Sequence, residues 1–277
     1  MNIAFLYADK ARERVLAEAF VGGLRRHGVD AKTVVLASKS AVPLEVDAAC
    51  MFGVKSREVW QRYRRAGIHV FYFDKGYVRR NQEFWRVSIN SHNPTSWLME
   101  LDQPPDRFRA LRLIVKPWRQ EGDQVVIAGS SAKYHAFHGL LEPTEFATRL
   151  VKRIGKWTNG RQIVYRPKPS WRDAVPIDGT RFSAAPRTIE DELSGAHALV
   201  THGSNACFEA MLSGIPTIAL GDAIARPISS TDLVDIENPR VASDGERLRL
   251  LSDLAYFQWT RPEMASGQAW EFLRRLM

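Results

Sequence analysis

The stretch ALVTHGSNACFEAMLSGIPTIALG, residues 198–221, constrains this chain more than any other. An apolar run ends at His202, a Gly-Ser-Asn turn follows, and an amphipathic segment begins at once. Gly214 stops that segment, and Ile215-Pro216 opens a second apolar run. Short apolar runs on either side of one helix are the pattern of buried parallel strands joined by a crossover helix. The turn before the helix presents backbone N–H groups and the positive end of the helix dipole above the carboxyl edge of the sheet. In doubly wound sheets that edge is where phosphate groups are held.

The same alternation runs through the rest of the chain. MNIAFLY is followed by ARERVLAEAFVGGLRRHG with a stop at Gly28, then KTVVL, DAACMFGV, SREVWQRYRRAG with a stop at Gly67, and HVFYFD. This spacing predicts a βαββαβ start, and FWRVSIN adds a strand. Residues 92–106 carry Pro94, Pro104 and Pro105 and predict a loop. A second unit opens near Gly122 with the strand QVVIAG, which ends in Gly129-Ser130-Ser131. The helix PTEFATRLVKRIGKWT has Pro143 in its first turn, RQIVYRPKP reads as a strand, and TIEDELSGA reads as a helix with Thr188 as N-cap. The expected fold class is α/β, two Rossmann-like doubly wound domains facing a cleft. Their expected bounds are 1–120 and 121–245, with a helical tail over 246–277, broken at Pro262, packing across both.

The chain is long enough, at 277 residues, for two modest α/β domains. No run approaches the roughly 18 uncharged apolar residues of a membrane helix, so no stable membrane insertion is expected. The N-terminus reads as a strand and not as a signal peptide. Cys50 and Cys207 lie in apolar runs and read as buried free thiols, which implies a cytoplasmic protein. The net charge of +8 is one-sided: residues 1–120 hold 21 Lys and Arg against 12 Asp and Glu, the remainder 18 against 19. Such an excess points to a polyanionic partner such as nucleic acid, with a solvated basic surface as the plainer alternative.

At the 201–206 corner, Ser204 and Asn205 can cap the helix and also donate to a phosphate. Glu209 lies one turn in, within reach of a ribose hydroxyl. The plainer alternative makes Ser204 or Asn205 a cap only and Glu209 a solvated helix residue. The stretch resembles the donor-binding segment of GT-B glycosyltransferases, whose T-x-x-S-x-x-x-x-E-A-x-x-x-G-x-P pattern holds a nucleotide-sugar. Tyr165-Arg166-Pro167-Lys168-Pro169 resembles the "HP" motif of capsule-type and sialyl-type transferases, with Lys168 where their phosphate-contacting His stands. A cation still suits a phosphate there. Lys116-Pro117-Trp118-Arg119, residues 254–260 and Gly267-Gln268-Ala269-Trp270 resemble segments of phage-encoded DNA-modifying glycosyltransferases.

These resemblances imply a GT-B glycosyltransferase using a nucleotide-sugar donor, a UDP-sugar as first expectation, with no metal required. The donor-binding residues would be Ser130, Ser131, Arg166, Lys168, His202, Gly203, Ser204, Asn205 and Glu209. The acceptor would be a hydroxymethylated pyrimidine of phage DNA, in the host cytoplasm. Helix N–H groups with Arg166 and Lys168 would stabilise the leaving diphosphate.

On the acceptor side, Asp74 sits at the carboxyl end of a predicted strand and is the candidate base for the acceptor hydroxyl. Lys75, Tyr77, Arg79, Arg80 and Arg86 are candidates to hold acceptor phosphates and stack on a base. The alternatives are that Asp74 caps a turn or pairs with Lys75 or Arg79, and that the cations are ordinary surface charge. The chain lacks a P-loop, a G-x-G-x-x-G after its first strand, a G-x-S-x-G elbow and an Asp-x-Asp element. His135 and His138 read as ordinary polar residues. Two further readings are a transferase acting on a bacterial surface glycan or lipid-linked acceptor, and a non-catalytic nucleic-acid-binding domain of GT-B type.

Overall fold

The computed structural model describes residues 1–36, 43–53, 57–79, 83–119 and 121–277. The first half contains β1 (Asn2–Tyr7), α1 (Ala11–Arg26), β2 (Asp30–Val35), β3 (Ala48–Phe52), α2 (Arg57–Arg65), β4 (His69–Lys75), β5 (Phe84–Ile89) and α3 (Asp106–Ala110). Next come β6 (Gln124–Ala128), α4 (Ala132–His138), α5 (Pro143–Ile154), β7 (Gln162–Arg166), β8 (Arg181–Phe182), α6 (Ile189–Leu193), β9 (Ala196–Thr201), α7 (Ala206–Ser213) and β10 (Thr217–Ala219). The chain ends with α8 (Asp244–Tyr256), β11 (Gln258–Thr260), α9 (Arg261–Ser266) and α10 (Gln268–Leu273). The chain forms two compact units, one of Met1–Pro94 with Tyr256–Met277 and one of Thr95–Ala255.

In the first unit the sheet order is β11-β5-β4-β3-β1-β2. The β2-β1-β3-β4 block is parallel, as the βαββαβ spacing predicts, whereas β5 runs antiparallel to β4 and β11 antiparallel to β5. Alternate residues of β1 face opposite layers because successive side chains in a strand alternate. Ala4 and Leu6 join Val59 and Tyr63 of α2 in one core. Phe5 meets Phe20 of α1 and Phe73 of β4 on the other face, with ring centroids 4.7–6.3 Å apart. Each buried Phe contributes about 1.5–3 kcal/mol. The C-terminal helices close that second face: Trp270 packs edge-on to Phe71 at 5.8 Å. Gly23 of α1 approaches Met264 so closely that a Cβ would stand 1.9 Å from its carbonyl oxygen.

The tail departs from the expected run of helices. Residues 258–260 form a strand hydrogen-bonded to β5. Pro262 does not break a helix but sits in the first turn of α9, whose Thr260 cap forms a capping box with Glu263.

The second unit is a parallel sheet of order β10-β9-β6-β7-β8. Its core joins Val125, Ile127, Ile163, Tyr165, Val200 and Ile218 of the sheet to Leu150, Val151 and Ile154 of α5. Pro143 occupies the first turn of α5 and Thr188 caps α6 in a capping box, both as the sequence predicts. The divisions expected at 120 and 245 do not coincide with the units. Residues 95–119 are bound within the second unit: Lys116 and Arg119 N–H donate to the carbonyls of Leu212 and Gly214 at 2.8 and 2.7 Å. Met99 and Gln103 N–H both donate at 2.8 Å to the buried carboxylate of Asp253 on α8. Among the described residues no helix is long and apolar enough to cross a membrane.

Candidate functional site

Counted within the second unit, the strand order reads 5-4-1-2-3, the Rossmann order. The order reverses between β6 and β9, and crevices at such a switch point, outside the carboxyl ends of the strands, are where these sheets take ligands. The 201–206 corner stands there. Thr201, the last residue of β9, is buried, and its hydroxyl donates to Ala128 O of β6 at 3.0 Å. The Thr201 hydroxyl oxygen in turn accepts from Ser204 N–H at 2.9 Å. One side chain thus fastens the two switch-point strands and shapes the turn.

The corner is open: residues 202–206 are each half-buried. A hollow beside it is lined by Gly129, Ser130, His135, Phe146, Thr201 and His202. Two of the amides expected to point at a phosphate are engaged within the turn, Ser204 N–H by Thr201 and Ala206 N–H by Ser204 Oγ at 3.3 Å. Ser204 therefore acts as the local cap of α7, and the Asn205 side chain does not cap. Ser131 occupies the N-cap position of α4 with its side chain outside the cap. Glu209 is half-buried in the first turn of α7.

Arg166 is placed differently from expectation. Its guanidinium donates to Ser183 Oγ and Arg187 O, both at 2.8 Å, and so holds the segment after β8. Lys168 is exposed on the loop that follows β7.

An imidazole cluster that no local sequence pattern announces stands at the end of β9. Tyr134 Oη lies 3.1 Å from Nδ1 of His202. The His138 ring stands 4.2 Å from Tyr134 and 5.7 Å from His202, and Phe146 closes the other side at 6.1 Å. His135 Nδ1 meets Leu141 O at 2.7 Å. The i,i+3 spacing of His135 and His138 on α4 was the available signal, but it gains meaning only once α4 is known to face the end of β9. The pKa of His202 is lowered to about 4, first by burial and then by His138, His135 and Arg226, with Asp222 opposing. The His135 pKa is also lowered, again first by burial. Cys207 is pushed up to about 12 by burial, and Cys50 also upward, so neither thiol is a ready nucleophile.

In the first unit, Asp74 lies near the carboxyl end of β4, half-buried, and its Oδ1 accepts from Lys75 N–H at 2.7 Å. Lys75 is half-buried and Arg79 is exposed, paired with Glu83 at 3.0 Å. Arg80 lies outside the described residues. Tyr77 and Arg86, expected at an acceptor surface, are inside the unit at 2% and 8% exposure. Arg86 pairs with Asp74 at 3.3 Å and with His92 Nε2 at 3.1 Å, and it bonds Asn93 Oδ1. Tyr77 N–H donates to Gln258 Oε1 of β11 at 3.0 Å. Asp74 does pair with a cation, but with Arg86 on the neighbouring strand, not with either of the local cations.

Two Rossmann-like α/β units in one chain define the GT-B class of fold. Among solved structures the chain is similar to Thermosulfurimonas dismutans KpsC, beta Kdo 2,7 transferase: 13% identity, all of both chains covered, TM-score 0.61. It is also similar to the beta Kdo 2,4 transferase of the same KpsC, again at 13% identity, with 92% of this chain and 91% of that one covered and a TM-score of 0.54. At that identity the likeness is one of fold. No family model and no curated protein matches the sequence.

Proposed function

We propose that this chain is a glycosyltransferase that takes a sugar from a nucleotide-sugar and passes it to a hydroxyl on an anionic polymer. The observation that carries the reading is the open corner at residues 201–206, set at the switch point of a Rossmann-ordered sheet. In this reading Ser130, Ser131, Gly203 and Asn205 surround the donor diphosphate, and Ser204 shapes the turn that holds it. Glu209 reaches the ribose, and the exposed Lys168 meets phosphate from solvent. Asp74 takes the acceptor proton. A uridine nucleotide is the first to try.

The acceptor we propose is DNA carrying a hydroxymethylated pyrimidine. Support comes from charge: the first unit carries 19 Lys and Arg against 11 Asp and Glu, and the second carries 20 of each. To reach a base in a duplex, the enzyme would flip it outward. A second reading, transfer to a bacterial surface glycan, draws on the fold likeness to the Kdo transferases of KpsC.

The test is a thermal-shift screen with uridine, cytidine, guanosine and thymidine diphosphates, followed by incubation with the matching sugars. Selective stabilisation by one nucleotide names the donor. A mass gain on hydroxymethylpyrimidine DNA supports the first acceptor, and a gain on a surface glycan supports the second. No stabilisation by any nucleotide and no mass gain on either acceptor would leave the transferase reading without support.

A further inference from the structure

Residues 107–119 carry Arg107, Arg109, Arg112, Lys116 and Arg119, with no acidic residue among them. The second unit as a whole is balanced, so this is a local excess of charge. Two of the five cations are engaged in the fold: Arg107 Nε donates to Ala255 O at 3.2 Å, and Arg119 Nη1 to Leu193 O at 3.3 Å. Arg109, Arg112 and Lys116 are exposed and enter no ion pair among the described residues. Ile114, in their midst, is 79% exposed, more than any other large apolar side chain among the described residues. A lone apolar side chain in water is ordinary. One flanked by unpaired cations makes an amphipathic surface.

The stretch that displays these side chains is held in place. Leu113 and Val115 are half-buried, so exposure alternates from Arg112 to Lys116. Lys116 N–H donates at 2.8 Å to Leu212 O of α7, and Lys116 O accepts from Arg247 Nη1 at 2.9 Å. Trp118 lies under the Arg247 guanidinium at 4.3 Å. Leu212 stands at the end of α7 remote from the 201–206 corner, about 10 Å along the helix, so a surface engaged here leaves the corner free.

We propose that this face of the second unit docks on an anionic lipid bilayer, with Ile114 entering the boundary between head groups and acyl chains and Arg109, Arg112 and Lys116 meeting the lipid phosphates. The docking is peripheral, and it does not depend on which acceptor the chain uses. Each cation near an anionic surface contributes about fivefold to partition. The isoleucine needs an apolar layer, and that distinguishes the anionic partners. A nucleic acid answers the cations but leaves Ile114 among phosphates, and the aromatic ring of this stretch, Trp118, is covered by Arg247 and offers no platform for a base. A second copy of the chain docked by the same face would set cation against cation.

The experiment is co-sedimentation of the full chain with vesicles of phosphatidylcholine and with vesicles of phosphatidylcholine mixed with phosphatidylglycerol. Wild type is expected to bind the mixed vesicles and not the neutral ones, and added salt should weaken that binding. Arg109→Gln, Arg112→Gln and Lys116→Gln combined should lower the partition by about a hundredfold. Ile114→Asn alone should lower it by about tenfold or more. All four side chains are exposed, so the melting temperatures should stay close to that of wild type. Ile114→Cys gives a second readout. Cys50 and Cys207 are buried, so an environment-sensitive dye labels position 114, and its emission should shift to the blue on the mixed vesicles and not with duplex DNA. Unchanged partition in the triple variant and in I114N would overturn the proposal and assign the vesicle contact to another basic surface of the chain. Loss of duplex DNA affinity in the triple variant, with no blue shift on vesicles, would make this face a nucleic-acid surface and overturn the proposal as well. Wild type that leaves the mixed vesicles unbound would overturn it outright.

Discussion

Asp74 and Arg86 are register partners across the antiparallel β4–β5 ladder, their carboxylate and guanidinium 3.3 Å apart. The arginine is sunk in the unit with its side chain 10% exposed, and its ring of partners includes His92, Asn93 and the Tyr77 face at 5.7 Å. Burial works against its charge, but Asp74, Tyr77 and Tyr72 more than offset this, and its pKa is raised. Arg86 is thus a permanent cation that orients Asp74.

Removing one partner of such a pair strands the other. Arg86→Met should lower stability in urea unfolding by about 3–5 kcal/mol. Asp74→Asn keeps an accepting oxygen and should cost about 1–3 kcal/mol. Its effect on turnover should be far larger than its effect on stability, because an amide cannot take the acceptor proton. D74N with wild-type turnover would remove Asp74 from the chemistry.

Glu192 should give the second unit a pH-dependent stability. Its side chain is fully buried and meets Arg181, Arg187 Nε at 3.1 Å and Ser183 Oγ at 2.7 Å. Burial alone would raise its pKa, but hydrogen bonds from Arg181 and Ser183 and the charges of Arg181 and Arg187 hold it below the ordinary value. A carboxyl whose folded pKa lies below its unfolded one stabilises the fold above the unfolded value of about 4.3 and loses that contribution as pH falls through the folded value. Wild type should therefore lose more stability than Glu192→Gln between pH 5 and pH 3, in urea unfolding at each pH. At neutral pH the variant should be less stable by about 1–3 kcal/mol. Parallel pH profiles for the two proteins would rule Glu192 out as the group responsible.

Two glycines of the second unit should respond to different degrees to alanine. Gly214 ends α7 at φ +71°, and a Cβ there would stand 1.9 Å from the Pro117 carbonyl oxygen. Both the backbone and the neighbour are fixed, so Gly214→Ala should destabilise the unit by several kcal/mol, of the order of about 3. Gly221 abuts the ring of His202, a side-chain end packed by Tyr134, His138 and Phe146. Gly221→Ala should lower the melting temperature less than Gly214→Ala does, because it displaces a side-chain ring and not backbone, and it should weaken nucleotide binding about tenfold. A loss of melting temperature in G221A as large as that in G214A, or none in G214A, would contradict these assignments.

What could be seen in the sequence was whatever local pattern decides. β6 and β9 are nearly continuous apolar runs and are buried over almost all or all of their length, and Thr188, Pro143 and Gly214 punctuate helices at the expected places. What could not be seen depends on partners remote in the chain. Arg86 reads as a surface cation because nothing near it announces Asp74 across a ladder or Gln258 opposite it on β11. A three-residue strand such as β11 has too few side chains to show period-two alternation, and helical segments flank it on both sides. Thr201, the side chain that joins the switch-point strands, looks like any strand end until β6 is placed beside β9. The Tyr134–His202 pair spans 68 residues and appears only with the sheet order.

The division of charge between the units gives the last prediction. All of the excess positive charge lies in the first unit, and the second is balanced. Within the first unit, α2 carries exposed Arg57, Arg62 and Arg65, while Val59 and Tyr63 face the core. A polyanion bound there releases condensed counterions, so its affinity must fall steeply with salt, whereas a small diphosphate held in the second unit has no such atmosphere to release. Between 50 and 200 mM salt, binding of duplex DNA should weaken by at least about tenfold, the value for two neutralised phosphates, and pyrophosphate binding should change far less. The double variant Arg57→Glu with Arg65→Glu should lower the magnitude of the DNA salt slope by about one for each phosphate contact removed and leave pyrophosphate affinity as it is. Fluorescence anisotropy with labelled DNA across a salt series reads the first, and calorimetry reads the second. DNA binding that is absent, or that ignores salt and both charge reversals, would identify the basic surface of the first unit as solvated charge and turn the search for an acceptor to neutral glycans.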